Sequence, residues 1–147
     1  NERTGALTIV SPTKQDAAVA MSHLKTTIRV IYSNPPAHGG LVVATILSNP
    51  ELHKQWLVEL AGMRDRIKAM RSELVEGLVA RGVKGDFSYI TRQRGMFSFS
   101  GLSDEIVAWL RTNKSIYVVG GGRINLAGLT KANIGYVCDA IAEAQNI

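Results

Sequence analysis

The sequence predicts an α/β protein, and three observations carry that prediction. A β-branched apolar stretch, Ala6 to Val10, leads into a segment with helical periodicity. A very long helical pattern fills the middle of the chain, and beyond it short strand-like runs alternate with helical ones. With 147 residues, 46% of them apolar and 20% charged, the chain is long enough to bury one good core.

Ala6 to Val10 lies between Gly5 and Ser11-Pro12, which predicts a short buried strand. Ala18, Met21, Leu24, Ile28 and Ile31 then recur at helical intervals, so a helix is expected over Lys14 to Tyr32. It must end by Asn34-Pro35-Pro36, because proline lacks an amide donor and pushes its predecessor out of the α region. Gly39 to Leu47 is apolar on every face and too short to span a bilayer, which predicts a buried core helix, with a strand as the other reading. Asn49-Pro50-Glu51 is a helix start, and nothing interrupts the pattern from Glu51 to Arg81, where Leu52, Trp56, Leu60, Met63, Ile67, Met70, Leu74 and Leu78 recur at threes and fours. Such a helix is about 45 Å long at 1.5 Å per residue, so its ends are expected to serve different packing units.

Gly82 to Gly85 ends the long helix. A short extended piece is expected near Phe87 to Thr91 and a strand at Met96 to Ser100, with Phe97 and Phe99 on one face. Ser103 should cap a helix from Asp104 to about Asn113. Tyr117 to Val119 and Arg123 to Leu126 read as strands around Gly120-Gly121-Gly122, and Thr130 as the cap of a last helix reaching about Ala144.

Several chemistries are poorly supported. A single cysteine, Cys138, leaves no intramolecular disulfide, and His23, His38 and His53 lie on separate elements, so no metal site is expected. No signal peptide or run of about 18 apolar residues occurs, so neither a membrane nor a targeting role is read, and a cytoplasmic home is expected. Ser11 to Lys14 matches an SxxK pattern but lacks its companion motifs and contains Pro12. The VGGGR segment satisfies neither GxGxxG nor the P-loop. The net charge of +5 is partly carried by Arg64, Arg66, Lys68 and Arg71 on the long helix; without interleaved aromatics this run reads as a solvated face laced with ion pairs, not a nucleic-acid surface.

Four segments together resemble the class I aminotransferases, specifically their aspartate and aromatic amino acid branch: Asn1 to Gly5 (NERTG), Ile28 to Gly39 (IRVIYSNPPAHG), Gly95 to Leu102 (GMFSFSGL) and Gly122 to Gly128 (GRINLAG). Their order, and the two intervals separating Arg3, Arg29 and Arg123, agree with that family. The resemblance covers essentially the whole chain. It implies the C-terminal portion of the pyridoxal-phosphate-dependent transferase fold: residues 1–49 as the end of the large cofactor domain, 50–81 as a long interdomain helix, and 82–147 as the small domain.

By the same resemblance Arg3 corresponds to the arginine that grips the phosphate of pyridoxal 5'-phosphate, a contact that suits a planar guanidinium. Arg123 corresponds to the clamp on the substrate's α-carboxylate. Arg29 corresponds to the arginine that, in a homodimer, reaches the neighbouring active site and meets the distal carboxylate, and Phe97 to an aromatic lining the substrate end of the pocket. On the residues alone, Arg3 reads as a surface cation near a chain end, Arg29 as a cation favoured by a helix C-terminus and Arg123 as a strand-edge ion-pair donor, while the alternation of Phe97 with Phe99 is equally that of core packing.

The resemblance further implies a ping-pong transfer of an amino group between aspartate or aromatic amino acids and 2-oxoglutarate. The lysine that holds the cofactor in that family lies just upstream of the segment matching NERTG, so the expectation is a fragment whose missing N-terminal portion carries it, and which is inactive alone. The alternative is a non-catalytic, helix-rich interaction module reusing the small-domain fold.

Overall fold

The computed structural model of the chain describes residues 2–146 and forms two compact units, Asn1–Leu57 and Val58–Ile147, with the division falling inside one helix. Asn1, the first residue of the NERTG segment, lies outside the described residues.

In the first unit, α1 (Lys14–Ile31) begins where Thr13 Oγ1 accepts from the Asp16 amide. It ends ahead of the two prolines: the amides of Tyr32 and Ser33 both return to the Ile28 carbonyl, and Ser33 adopts a left-handed φ of 66°. The α2 helix (Ala37–Ser48) follows, and Asn49 Oδ1 caps the next helix by accepting from the Glu51 and Leu52 amides.

Two expectations for this unit are corrected. Residues 6–10 form no strand: they make no ladder with any described residue, and Leu7, Ile9 and Val10 are exposed. Strand character needs a neighbouring edge, and none exists within these residues. The apolar stretch Gly39 to Leu47 lies on α2 and is helical but is not a core helix here, for only Gly39 on it is buried while Leu41, Val42, Val43 and Leu47 face outward.

The α3 helix (Pro50–Ala80) runs uninterrupted, as the spacing predicts. In the second unit its apolar row lays Met70, Leu74 and Leu78 into a single core with Ile90, Leu102, Val107, Leu110, Leu126, Cys138 and Ile141. Gly82 (φ 66°) closes the helix, with the Val83 amide returning to the Leu78 carbonyl.

The predicted extended piece at 87–91 is instead a turn of helix, α4 (Tyr89–Arg92). Asp86 Oδ1 accepts from the Ser88 amide and the Ile90 amide bonds to the Phe87 carbonyl, so local side-chain capture closes the backbone into a turn. Then come β1 (Phe97–Phe99), α5 (Asp104–Lys114), β2 (Arg123–Asn125) and α6 (Ile134–Ala144). β1 and β2 pair antiparallel, Phe97 opposite Asn125, Ser98 opposite Ile124 and Phe99 opposite Arg123. The predicted strand at 117–119 is reduced to one bridge, Val119 to Arg123, because Gly120–Gly122 coils into a 3-10 turn that takes the chain away after a single pair. Thr130 Oγ1 caps the turn before α6 through the Asn133 amide.

Ser103 Oγ accepts from the Ile106 amide at the start of α5, as its position predicts. Its replacement by alanine is expected to cost about 1 kcal/mol, the usual value of an N-cap, measurable by urea denaturation. Asp104 and Glu105 also favour this end of the helix by sitting at the positive end of its dipole.

Candidate active site

The predicted site residues fall in both units: Arg3 and Arg29 in the first, Phe97 and Arg123 in the second. Arg3 lines a cavity of about 470 Å³ together with Gly5, Tyr32, Pro36, Gly39 and Gly40. The chain segments around it approach closely. A methyl group at Gly39 would lie 2.1 Å from Thr4 Oγ1, so any larger residue there would displace the Thr4 hydroxyl that rests against α2. Glu2, the acid in this cavity wall, is engaged by His38 (Nδ1 to Oε1, 3.0 Å), and among the described residues Arg3 has no carboxylate partner. Arg29 occupies the exposed last turn of α1 and does not line this cavity.

Phe97 and Arg123 come together across the β1–β2 ribbon. The Arg123 guanidinium carbon lies 5.3 Å from the centroid of the Phe97 ring, within cation–π range, and both side chains are on the solvent side of the ribbon. The alternation of Phe97 and Phe99 is therefore not core packing: they are 47% and 60% exposed, and the face turned to the core carries Ser98 instead. No acid pairs with Arg123 among the described residues, which leaves its fork free for an anion.

Arg123 owes its place to the glycine turn before it. Gly122 has φ 71°, and a Cβ there would meet the Leu102 carbonyl and Ser100 Oγ, each at 2.9 Å. Ser100 reinforces this approach through two bonds to the Gly122 carbonyl, from its amide (2.9 Å) and its hydroxyl (2.6 Å). Asp104 Oδ1 accepts from the Gly121 amide at 3.2 Å, anchoring the turn to the start of α5. Gly122→Ala combines left-handed strain with a backbone clash and is expected to cost roughly 3 kcal/mol, read as a fall in the urea midpoint.

Two features escaped the sequence reading. Arg71 belongs to no solvated face: it is 3% exposed and donates to the carbonyls of Ile90, Gly95 and Phe97 and to Ser98 Oγ. Arg66 likewise grips the Ala127 and Leu129 carbonyls, so the basic run is only partly an ion-pair face, represented by Arg64 with Asp65 at 3.0 Å. A signal for Arg71 existed. It continues the apolar row of Ile67, Met70, Leu74 and Leu78 at helical spacing, where a charge has to find acceptors in the core.

The remaining reactive groups offer no second chemistry. Among the described residues no three His, Cys, Asp or Glu side chains cluster to hold a metal, and no helix is long and apolar enough to cross a membrane. Burial pushes the Cys138 thiol up, which keeps it protonated and a poor nucleophile. His53 stacks on Trp56, and His38 holds Glu2.

A family profile for "Aminotransferase class I and II" matches residues 1–141, and the chain belongs to that family. It is 50% identical over 141 residues to an aspartate aminotransferase of Escherichia coli strain K12, and 47% identical over 143 residues to that of Haemophilus influenzae. These alignments cover 96% and 97% of the chain but 36% of each relative, so the chain spans about a third of their length. Among solved structures, the aromatic-amino-acid aminotransferase of Burkholderia pseudomallei, covalently bound to pyridoxal phosphate, superposes with a TM-score of 0.84 at 50% identity, over 92% of this chain and 34% of that one. An aromatic amino acid aminotransferase of Psychrobacter sp. B6, cocrystallised with aspartic acid, gives 0.86 at 41% identity, over 94% and 35%. The fold is thus that of a part of the α/β aminotransferases, mostly helical with a small sheet.

Proposed function

We propose that these residues work as the C-terminal third of a pyridoxal-phosphate-dependent aminotransferase that moves an amino group between aspartate or aromatic amino acids and 2-oxoglutarate. The observation that carries the reading is the Arg123 guanidinium, stacked on Phe97 and, among the described residues, without an acid partner, on the solvent side of a ribbon built to hold it. Residues 1–49 act as the end of the large domain, 50–81 as the bridge and 82–147 as the small domain. The outward-facing apolar side chains of α2 and of residues 6–10 support this, because apolar surface of that extent calls for cover from further protein.

Arg123 binds the α-carboxylate in a bidentate fork, which turns the amine and the Cα–H of the substrate toward the cofactor. Phe97 walls the same end of the pocket, excludes water from the pair and restricts the swing of the guanidinium. Arg29 of the partner subunit meets the distal carboxylate, so that activity requires a homodimer. Arg3 fits the cofactor phosphate: among the described residues its guanidinium has no carboxylate partner, and it lines a glycine-walled cavity whose one described acid, Glu2, is engaged by His38. When bound, pyridoxal 5'-phosphate supplies the electron sink and carries the amine between the two half-reactions. None of the lysines in these residues falls within a segment that resembles the family, so in this reading the lysine that holds the cofactor is supplied by another part of the complete polypeptide.

Steady-state rates of the complete polypeptide with aspartate and with phenylalanine, each paired with 2-oxoglutarate, test this reading. Turnover of at least one donor, by a yellow protein, is the expected result. A colourless complete protein that turns over neither would remove it and leave the non-catalytic interaction module.

A further inference from the structure

The second unit buries one guanidinium that substrate and cofactor binding leave unused. Arg71 Nη1 donates to the Ile90 carbonyl (2.8 Å) and to Ser98 Oγ (3.1 Å), and Nη2 to the carbonyls of Gly95 (2.8 Å) and Phe97 (3.0 Å). All its acceptors are neutral. Burial, followed by the charge of Arg94, draws its pKa down, yet an arginine stays protonated at any physiological pH.

The placement of these acceptors along β1 gives the charge a purpose. On the edge of β1 facing β2, the Met96 carbonyl accepts from the Leu126 amide (2.9 Å) and the Ser100 amide donates to the Gly122 carbonyl (2.9 Å). On the opposite edge, the Gly95 and Phe97 carbonyls have no strand to pair with, since the sheet has only two. The Arg71 fork spans both and stands in for a third strand. A two-stranded ribbon is marginal by itself. Here one edge is tied to β2 and the other to α3, and Phe97, which carries the ring beside Arg123, is one of the residues held.

We propose that Arg71 is a positioning residue: by pinning the free edge of β1 to α3, it holds the Phe97 ring against Arg123 and so sets the direction of the guanidinium that receives the substrate carboxylate. The inference rests on the assignment of Arg123 to that carboxylate. Arg71→Lys keeps the charge but cannot span two carbonyls and a hydroxyl at once.

In the complete enzyme, Arg71→Lys is expected to raise KM for the amino donor about threefold, no more than loss of the Phe97 ring itself would, while kcat per folded protein stays unchanged, because a misdirected clamp weakens binding of ground and transition states alike. The ring resonances of Phe97 are expected to shift in the same variant. A purely structural role would lower the melting temperature and the folded fraction but leave KM and those resonances unchanged, and that result would overturn the proposal. Arg123→Lys is the control. If it leaves KM unaltered, the carboxylate assignment fails, and an unshifted Phe97 in Arg71→Lys is then what separately sinks the positioning role. Should Arg71→Lys not fold, Ser98→Ala removes the side-chain acceptor, together with the bond that Ser98 Oγ donates to Gln93 Oε1: a KM raised about twofold with shifted Phe97 resonances supports the proposal, and the absence of either change overturns it.

Discussion

Arg123→Ala in the complete enzyme is expected to lower kcat/KM for the amino donor by about 10²- to 10³-fold, the equivalent of about 3–4 kcal/mol for loss of a charge-assisted, bidentate contact to a carboxylate. The proposed anion partner is the substrate, since the described structure gives Arg123 no acid of its own. Truncation therefore strands a carboxylate, not a protein group, and the loss should fall on catalysis far more than on stability. Arg123→Lys, which retains charge and loses the fork, should fall between wild type and alanine. Steady-state kinetics alongside a thermal melt check both halves. A melting temperature that collapses with unchanged kcat/KM per folded protein would make Arg123 structural. Phe97→Ala should have a smaller effect, since a cation–π contact at an exposed site contributes only about 0.5–1 kcal/mol.

At Arg71 a large loss of stability is expected beside the effect on KM. Arg71→Met is similar in length and apolar, but it leaves the Ile90, Gly95 and Phe97 carbonyls and the Ser98 hydroxyl without their donor, in surroundings where Ile90 is 0% and Ser98 1% exposed. Leaving buried acceptors unsatisfied costs about 1–3 kcal/mol each where water cannot reach, so a loss of roughly 3–4 kcal/mol is expected once the partly exposed Gly95 and Phe97 sites are allowed to recruit water. That loss is read as a fall in the melting temperature of the complete enzyme. Arg66→Met is the matched comparison. It also bonds two carbonyls, of Ala127 and Leu129, but from an exposed position, and should cost no more than about 1 kcal/mol. Equal losses for the two variants would show that burial of the acceptors is not what makes Arg71 necessary.

Much of the helical framework was legible because its signals are local. Pro50 within the first turn, an unbroken period of threes and fours, and Gly82 beyond the end define α3 without reference to any neighbour. Ser103 and the acids after it define α5 in the same way. The glycine-rich segment before Arg123 reads as a hairpin turn between two strands; in the structure Gly120–Gly122 forms a 3-10 turn and the strand before it keeps only the Val119–Arg123 bridge. Residues 6–10 and Phe87 to Thr91 were misread for related reasons. The first has strand composition but no edge to pair with among the described residues, and the second was captured into a helical turn by Asp86.

By itself the sequence determined where most helices start and stop and the family to which the chain belongs, because caps, periodicity and motif spacing are properties of neighbours along the chain. Only the tertiary structure decided which charges are spent inside the protein and which remain outside. Arg71 and Arg123 are indistinguishable as letters, but one lies in the packed row of α3 and has its hydrogen bonds consumed by backbone carbonyls, while the other lies on the open face of the ribbon, stacked on Phe97. That difference arises from residues far apart in sequence approaching within hydrogen-bonding distance, and burial of that kind follows from the folded packing of α3 against β1 instead of from the order of residues along either.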